Sequence, residues 1–418
     1  MQTDKKENIL LIGNGFDLYH NLNTKYTDFM DFIKDTTLIE QTISKHQEKL
    51  KTCTSEEQCF HKPALDLRIR NLERFKDEIN NNIIIKYFSQ DLDYTKSGWI
   101  DFEKKIENML LDIDDYYSKF LILYKDENIS KKYNNVTLDG FFKDIGEKAE
   151  NNINQRLKRI KNINKNNIGF FIEKLYTLGL VKRIIIEEDI IVYESYNYDE
   201  LDLPNYEIEN IIIKSKSNII ELILRDFNRL IECFNTYLIE FVDIKKIKVF
   251  SEQVREMDID KVLTFNYTDT FRIYKELDRK SICHVHGKTS IYPDKVDMVM
   301  GTSEDAFDSI EGNDKKLEYI RFQKYFQRIF KNTGAEYKKW MYEEYMLHII
   351  GHSLDVTDKE IIFDMIDFSE KTYIYYNSEE SFARLITNLV RIAGRNDAIE
   401  WFHDKIKFIP LRKPVEDK

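Results

Sequence analysis

Asn8-Ile9-Leu10-Leu11-Ile12-Gly13-Asn14-Gly15-Phe16-Asp17-Leu18 is the stretch that decides the fold, because a short apolar run stops there at Gly-Asn-Gly. Residues 9–13 have no polar face, which predicts a strand of a parallel sheet buried on both sides. The two glycines allow a tight turn and a close backbone approach that a Cβ would block. Apolar residues at helical spacing in 16–33 predict that a helix follows. Strand, glycine turn and helix together aim backbone N–H groups at a phosphate, although Gly-Asn-Gly is also an ordinary tight turn.

Composition indicates a globular protein. At 418 residues, with 42% hydrophobic and 33% charged residues, the chain has room for one large α/β domain with an insertion, or for two domains. Residues 1–8 lack the apolar core of a secretion signal, and no apolar run approaches the roughly 18 residues that span a bilayer. The four cysteines form no CxxC pair. We therefore expect a cytoplasmic protein without a membrane segment.

The net charge of −11 argues against broad nucleic-acid binding, because polyphosphate would be repelled on average. Two local basic stretches interrupt the acidic chain. Their helical spacing predicts solvated helix faces rather than phosphate tracks. They are Arg156, Lys158, Arg159 and Lys161, and then Arg321, Lys324, Arg328 and Lys331.

The sequence pattern differs between two parts of the chain. Residues 24–89 are predicted to be helical, and 97–103 to open another helix. Residues 108–255 are predicted to form a mainly helical insertion, with a hairpin at 183–193. Residues 1–107 and 256–418 would then form one α/β core.

Short apolar strands alternate with helices after residue 260. This alternation predicts an α/β fold with a doubly wound, mostly parallel, Rossmann-type sheet, whose ligands bind at the carboxyl ends of the strands. The predicted strands are 262–265, 282–286, 296–300, 346–351, 372–376 and 406–409.

Four strands end in polar groups of chemical interest. Each group alone has an ordinary explanation, such as an Asx turn at Asn266 or a structural histidine at position 286. One open sheet would nevertheless bring all four groups to one crevice. They are Gly13-Asn14-Gly15, Asn266-Tyr267-Thr268-Asp269, His286-Gly287, and Gly351-His352-Ser353 with Asp355.

The order Gly-x-Gly, Thr-x-Asn-Tyr, His-Gly and Gly-x-Ser resembles the sirtuin-like NAD-binding fold. Across nearly the whole chain, five motifs more closely resemble the AbiH family of bacterial abortive-infection proteins. These motifs are GNGFDL (13–18), WIDFE (99–103), TFNYTDTF (264–271), HVHGK (284–288) and GHSLDVTD (351–358).

The resemblance implies a role for each strand end. Gly13 and Gly15 would line the pyrophosphate of NAD+, and Asn266 would bind a ribose hydroxyl or position the attacking water. His286 would be the general base or would anchor that ribose. Gly351 and Ser353 would hold the far nucleoside. The remaining expected site residues are Asp269 among the catalytic groups, and Asn14, Asp17, Gly287 and Asp355 among the ligand-binding ones.

The implied reaction is cleavage of an N-glycosidic bond through an oxocarbenium-like state, which needs an oriented ribose, a placed water and no metal. NAD+ would be the substrate or ligand. The chain lacks the zinc-binding cysteine pairs of protein-deacylating sirtuins, so deacylation is not expected. Asp17 is an awkward neighbour for a phosphate unless it faces the ribose, caps N–H groups or binds a metal. Because unrestrained NAD+ loss would kill the host, we expect activation by homo-oligomerisation or by a phage component.

Three alternatives remain open. Residues 351–355 nearly reproduce a hydrolase nucleophile elbow, with His403 as base. Asp355, however, is too large for the last position of the elbow. The elbow also needs a helix that starts at once, whereas Thr357-Asp358-Lys359-Glu360 is typical of a capping box that starts the helix later. A magnesium nuclease could use the carboxylates Asp101, Glu103, Asp269 and Asp355, without a recognisable nuclease spacing. A non-enzymatic nucleotide sensor is the third.

Overall fold

A six-stranded parallel sheet organises the molecule. The computed structural model describes residues 6–52, 62–89, 102–111, 113–114, 181–187, 190–195, 208–308, 310 and 317–416. The strands of the sheet are β1 (Glu7–Ile12), β5 (Lys261–Thr264), β6 (Ile282–His284), β7 (Tyr345–Ile350), β8 (Lys371–Tyr376) and β9 (Ile406–Pro410). Four further strands form two small antiparallel pairs: β2 (Val181–Glu187) with β3 (Ile190–Ser195), and β4 (Val249–Phe250) with β10 (Val415–Glu416).

The strand order is β6-β5-β1-β7-β8-β9, and every neighbouring pair is parallel. Counted in chain order, these strands run 3-2-1-4-5-6, which is the order of a Rossmann sheet. The chain leaves β1 toward β5 and β6, then returns to place β7 on the other side of β1. The order therefore reverses between β1 and β7, and such a reversal opens a crevice at the strands' carboxyl ends.

Both faces of β1 are buried, as its unbroken apolar sequence predicts. Ile9 and Leu11 belong to a core that also contains buried residues of the two C-terminal helices. Leu10 and Ile12 point the other way, into a core with Phe16 and Val254. The sheet is therefore covered on both sides, which confirms the predicted α/β class.

Helices occupy most of the remaining described chain. They are α1 (Asn14–Tyr19), α2 (Tyr26–Phe32), α3 (Thr37–Thr52), α4 (Lys62–Asn81), α5 (Ile83–Ser89), α6 (residues 102–111), α7 (Ile208–Phe241), α8 (Glu252–Arg255), α9 (Lys324–Lys331), α10 (Lys359–Phe368) and α11 (Glu379–Asp404). Short 3-10 turns lie between them, including Thr270–Ile273, Glu336–Tyr342 and Val356–Asp358. No helix in the described ranges combines the length and the apolar character needed to cross a bilayer.

The helical layer has one continuous core. Buried residues of α2 to α6, of α7 from Ile220 onward, and of 298–322 share it. Within the predicted insertion (108–255), Met109, Leu110, Ile113 and the buried residues of 220–242 therefore belong to the same core as residues assigned to the α/β part. The proposed boundaries at 107 and 256 stay a prediction. The predicted hairpin is confirmed as the antiparallel pair β2 and β3.

Two local predictions are wrong. The single helix expected over 16–33 is interrupted, since α1 ends at Tyr19, Asn21 has a positive φ of 58°, and α2 begins at Tyr26. Residues 298–300 are buried, but residues 296–300 do not form a strand. Their backbone forms individual hydrogen bonds instead of a strand ladder. The Val299 N–H donates to the His286 carbonyl at 2.7 Å, and the Val299 carbonyl accepts from the Tyr267 hydroxyl at 2.8 Å. The other five predicted strands are confirmed.

Candidate functional site

Two glycine turns meet where the strand order reverses. The Gly15 N–H donates to the Gly351 carbonyl at 2.8 Å, joining the turn after β1 to the turn after β7. A Cβ on Gly15 would lie 2.7 Å from that carbonyl oxygen, and one on Gly13 would lie 2.8 Å from the His352 ring. Gly351 itself has a φ of +68°. The close approach predicted from the sequence exists, and it is made between the two turns.

A cleft of ≈ 930 Å³, including its open mouth, lies above this junction. Its lining includes all of the site residues expected from the sequence except Asp269 and Gly287: Gly13, Asn14, Gly15, Asp17, Asn266, His286, Gly351, Ser353 and Asp355. The structure thus brings the four strand ends together, while the role of each residue remains a prediction.

Asp17 lies beneath the first glycine turn and is fully buried. Its carboxylate accepts from Asn266 Nδ2 at 2.9 Å and from the Thr268 hydroxyl at 2.6 Å. Burial raises the pKa of Asp17 to about 6, and the bonds from Thr268, Thr270 and Asn266 oppose that rise. The contacts shown are with neighbouring polar side chains, so Asp17 acts here as an anchor for the loop after β5.

The Asn266 amide is held in one orientation. Its Nδ2 donates both to Asp17 and to the Gly13 carbonyl at 3.0 Å, so a flipped amide would place its oxygen against two acceptors. The other end, Oδ1, is buried and has no hydrogen-bond partner among the described residues. Because buried polar atoms are rarely left unpaired, Oδ1 is a candidate acceptor for a ligand hydrogen.

A second polar group surrounds Asp358 on the opposite wall. His286 Nε2 lies 2.9 Å from Asp358 Oδ1, and Lys324 Nζ lies 3.7 Å from the same oxygen. Lys324 also pairs with Glu103 Oε2 at 3.0 Å. His352 Nε2 is 4.0 Å from Asp358 Oδ2. All five side chains line the cleft.

Charge fixes the protonation of this group. Burial by itself would raise the pKa of Asp358, but Lys324 and His286 together hold it well below its usual range. Burial lowers the pKa of His286 despite the attraction of Asp358. An ionised Asp358 facing a neutral His286 requires the imidazole to carry its proton on Nε2, which leaves Nδ1 as the proton acceptor.

His352 and Glu103 are also shifted by burial. Burial lowers the pKa of His352 to about 4, and its Nδ1 accepts from the Leu354 N–H at 2.9 Å. Burial raises the pKa of Glu103 to about 7, with Lys324 opposing and Asp358 reinforcing the rise. Lys324 keeps its charge, because Asp358 and Glu103 outweigh its burial and raise its pKa.

Asp269 and Gly287 lie away from the cleft lining. Asp269 contacts His284 Nε2 at 3.0 Å and Arg272 at 3.4 Å. Gly287 has a φ of +71° and abuts the Asp297 carbonyl, so its glycine is required by the turn after β6. These two residues therefore do not line the cleft with the other predicted site residues.

The geometry does not assemble either hydrolytic alternative in the described residues. His403 sits in the last turn of α11 with an exposed side chain beside Asp404, and it is absent from the lining around Ser353. Of the nuclease carboxylates, Glu103 pairs with Lys324, Asp269 lies outside the cleft, and Asp101 lies outside the described residues. No three His, Cys, Asp or Glu side chains in those ranges are grouped so that they could hold a metal ion.

Three of the site residues carried misleading sequence signals. The helix starts late, at Lys359, as expected, but the capping box at 357–360 does not form. Asp358 takes the N-cap position without a side-chain cap bond and faces His286, while Asp355 accepts from the Thr357 N–H. Lys324 belongs to a stretch predicted to be a solvated helix face, yet it is 6% exposed. For Glu103 the sequence indicates a helix start, a place in the WIDFE motif and a nuclease carboxylate, and none of these predicts its pairing with Lys324.

The chain matches the family described as bacteriophage abortive infection AbiH over residues 9–210 and over the overlapping residues 173–376. Neither the curated proteins nor the solved structures gave a match. All five motifs that resemble AbiH fall inside the matched residues, which confirms that resemblance. Since the two segments together span more than half of the 418 residues, the chain belongs to the AbiH family of bacteriophage abortive infection proteins.

Proposed function

We propose that this AbiH protein acts against phage by binding NAD+ or a related nucleotide in the cleft and hydrolysing its N-glycosidic bond, with a sirtuin-like core as the catalytic unit. One observation carries the proposal: Asn266 and His286, the two residues expected to act on the ribose, line a single cleft together with the glycine turns. That cleft lies at the strand-order reversal, where Rossmann sheets bind dinucleotides.

The polar groups of the cleft suit this chemistry. Breaking the bond between ribose and a cationic nicotinamide passes through an oxocarbenium-like state and needs no general acid, because the leaving group already carries a positive charge. What the protein must supply is an acceptor for the water proton and negative charge near the developing cation. His286 Nδ1 supplies the acceptor, and the buried carboxylates supply the negative charge.

Asn266 is assigned to the ribose or to the water. Asp17 and Gly13 fix its amide, so the unpartnered Oδ1 is presented without any cost of reorienting the side chain. A hydroxyl of the ribose, or the attacking water, would satisfy this oxygen. Removing the amide should therefore weaken substrate positioning and catalysis together.

The test measures nicotinamide released from NAD+ by the purified protein, and NAD+ in infected cells by mass spectrometry. Wild type is compared with Asn266→Ala and with Asn235→Ala. Asn235 is a matched control, since it is also a buried asparagine but bonds to the backbone of Ser290 outside the cleft. The proposal expects NAD+ to fall in the wild type and in Asn235→Ala but not in Asn266→Ala.

A constant NAD+ concentration throughout abortive arrest in wild-type cells would exclude the proposed NAD+ hydrolysis. If the protein then bound NAD+ without turnover, the non-enzymatic sensor would be the better description. Because activation by oligomerisation or by a phage component is part of the proposal, the purified protein is assayed alone and with lysate of infected cells.

A further inference from the structure

We propose that the cleft selects its ligand by the positive charge of a ribosylated base, and that phosphate groups contribute little to binding inside it. The ligand class is therefore an N-ribosyl pyridinium or a similarly cationic nucleoside. The inference rests on the proposed function for its choice of ribosyl compound, and it can fail while hydrolysis itself stands.

The first support is the balance of charge along the lining. Four carboxyl groups line the cleft, from Asp17, Glu103, Asp355 and Asp358. Lys324 is the sole lysine or arginine among the described lining residues. Burial raises the pKa of Asp17 to about 6 and that of Glu103 to about 7, so both carry negative charge at pH 8. The lining is then net negative.

Lys324 is already engaged by two of these carboxyl groups. Its Nζ lies 3.0 Å from Glu103 Oε2 and 3.7 Å from Asp358 Oδ1, and it contacts the Thr357 hydroxyl at 3.4 Å. A phosphate would have to displace Glu103 or Asp358 to pair with this ammonium. That exchange leaves a buried carboxylate unpaired, which is strongly unfavourable.

The glycine turn offers less to a phosphate than its sequence suggests. The Gly15 N–H donates to the Gly351 carbonyl, and the Phe16 N–H donates to the Gly13 carbonyl, both at 2.8 Å. These two first-turn amides are therefore occupied within the protein. The buried Asp17 carboxylate beneath the same turn adds repulsion.

An independent observation points to a ligand at this place. Asn266 is 4% exposed, its Nδ2 is fixed by Asp17 and Gly13, and its Oδ1 has no partner among the described residues. An acceptor left free in a carboxylate-lined cleft matches a ligand that donates a hydrogen bond and carries positive charge. A ribose hydroxyl beside a pyridinium ring provides both.

The experiment uses pairs of ligands that differ in ring charge but hardly in shape. Binding of nicotinamide riboside and of its reduced, uncharged form is measured by calorimetry at pH 8 with the full chain. We expect the cationic form to bind about tenfold tighter or more. NAD+ should exceed NADH by a similar factor, and ADP-ribose, which has the pyrophosphate without the base, should compete poorly.

Equal affinity for the charged and uncharged forms would overturn the proposal, and so would ADP-ribose binding as tightly as NAD+. These ratios are measured on the wild type, so they do not depend on the folding of a variant. Nicotinamide release from NAD+, followed separately, reports on the proposed hydrolysis.

Glu103→Gln sharpens the test. Removing this charge should reduce the preference for the oxidised ligand about threefold or more. Glu107→Gln is the matched control, because Glu107 is a buried glutamate one turn further along α6 that pairs with Lys104 and is outside the described lining. A preference unchanged in Glu103→Gln, or reduced equally in both variants, would contradict selection by the cleft carboxylates.

Discussion

Two histidine–aspartate pairs in this molecule have nearly the same contact distance but differ in exposure and in their position relative to the cleft. His286 contacts Asp358 at 2.9 Å in the cleft, and His284 contacts Asp269 at 3.0 Å outside it. The histidines are two residues apart. Asp358 lies 72 residues beyond His286 and is 10% exposed at its side chain, whereas Asp269 lies 15 residues before His284 and is 38% exposed at its side chain.

The difference shows that the surroundings of a histidine–aspartate pair, and not its contact distance, determine what the pair can do chemically. Asp358 is held between His286 and the buried Lys324, so its charge is maintained away from water. Asp269 is held by His284 and by Arg272 at a partly solvated edge, where ionic contacts are screened. Only the first pair borders a cleft with room for a ligand.

Replacing the two histidines in turn gives the largest expected contrast. His286→Asn should lower NAD+ hydrolysis by about 10² to 10⁴, because it removes the proton acceptor. His284→Asn should change the rate by about twofold at most, since this ring does not line the cleft. The measurement is the initial rate of nicotinamide release by each variant under identical conditions of activation.

Circular dichroism and thermal unfolding of both variants provide the control for folding. A similar loss of rate in His284→Asn and His286→Asn, with folding intact, would mean that position in the cleft does not distinguish the two rings. The assignment of His286 as base would then be withdrawn.

The two aspartates should differ in their contribution to stability. Asp358→Asn leaves Lys324 with Glu103 alone in a buried site, so we expect a loss of about 3 kcal/mol in the free energy of unfolding. Asp269→Asn breaks a partly exposed contact and should cost less than about 1 kcal/mol. Urea unfolding at pH 7.5 measures both. Equal losses would contradict the view that burial, rather than contact distance, sets the difference.

Glu103 in the cleft and Asp269 outside it should contribute to stability with opposite dependence on pH. The raised pKa of Glu103 means that the native state binds more protons than the unfolded state between about pH 4.5 and 7, so this residue's contribution to stability falls as pH rises, by at most about 1.4 kcal/mol per pH unit. The His284 contact lowers the pKa of Asp269, whose contribution is present above the ordinary aspartate value of 3.8 and is lost as pH falls below it.

Unfolding of wild type and Glu103→Gln between pH 5 and 8 isolates the first effect. The free energy of the variant relative to wild type should rise with pH across this interval. Glu107→Gln keeps Glu103 in place and should show no such trend. A pH-independent difference for Glu103→Gln would show that the burial of its carboxyl does not control its protonation.

The sheet could be predicted from sequence because its signals are local. Buried strands such as Ile9–Ile12 are apolar on both faces, and a parallel sheet then dictates that their carboxyl ends share one edge. Asn266 and His286 were found in this way. Residues 296–300 show the limit, since this mostly apolar run forms a loop whose backbone is bonded by side chains and by the His286 carbonyl.

The partners of those residues could not be predicted, because their roles depend on tertiary position. The helical spacing of its basic residues predicts a solvated face on α9, yet Lys324 and Gln327 are buried while Tyr325, Ile329 and Phe330 are exposed. Asp358 likewise belongs to the predicted capping box, and its partners His286 and Lys324 come from segments distant in the sequence. Local sequence carries no information about such long-range neighbours.

Arg272 provides the smallest expected effect and the finest test of the comparison. Its Nε lies 3.4 Å from Asp269, and its other end pairs with the exposed Glu276 at 2.9 Å, so solvent competes for both contacts. Arg272→Gln should shift the free energy of unfolding by about 0.5 kcal/mol or less, and 0.5 M salt should abolish the shift. A larger, salt-resistant loss would show that the His284–Asp269 edge is as shielded from solvent as the cleft, and exposure could then no longer explain why the two pairs differ.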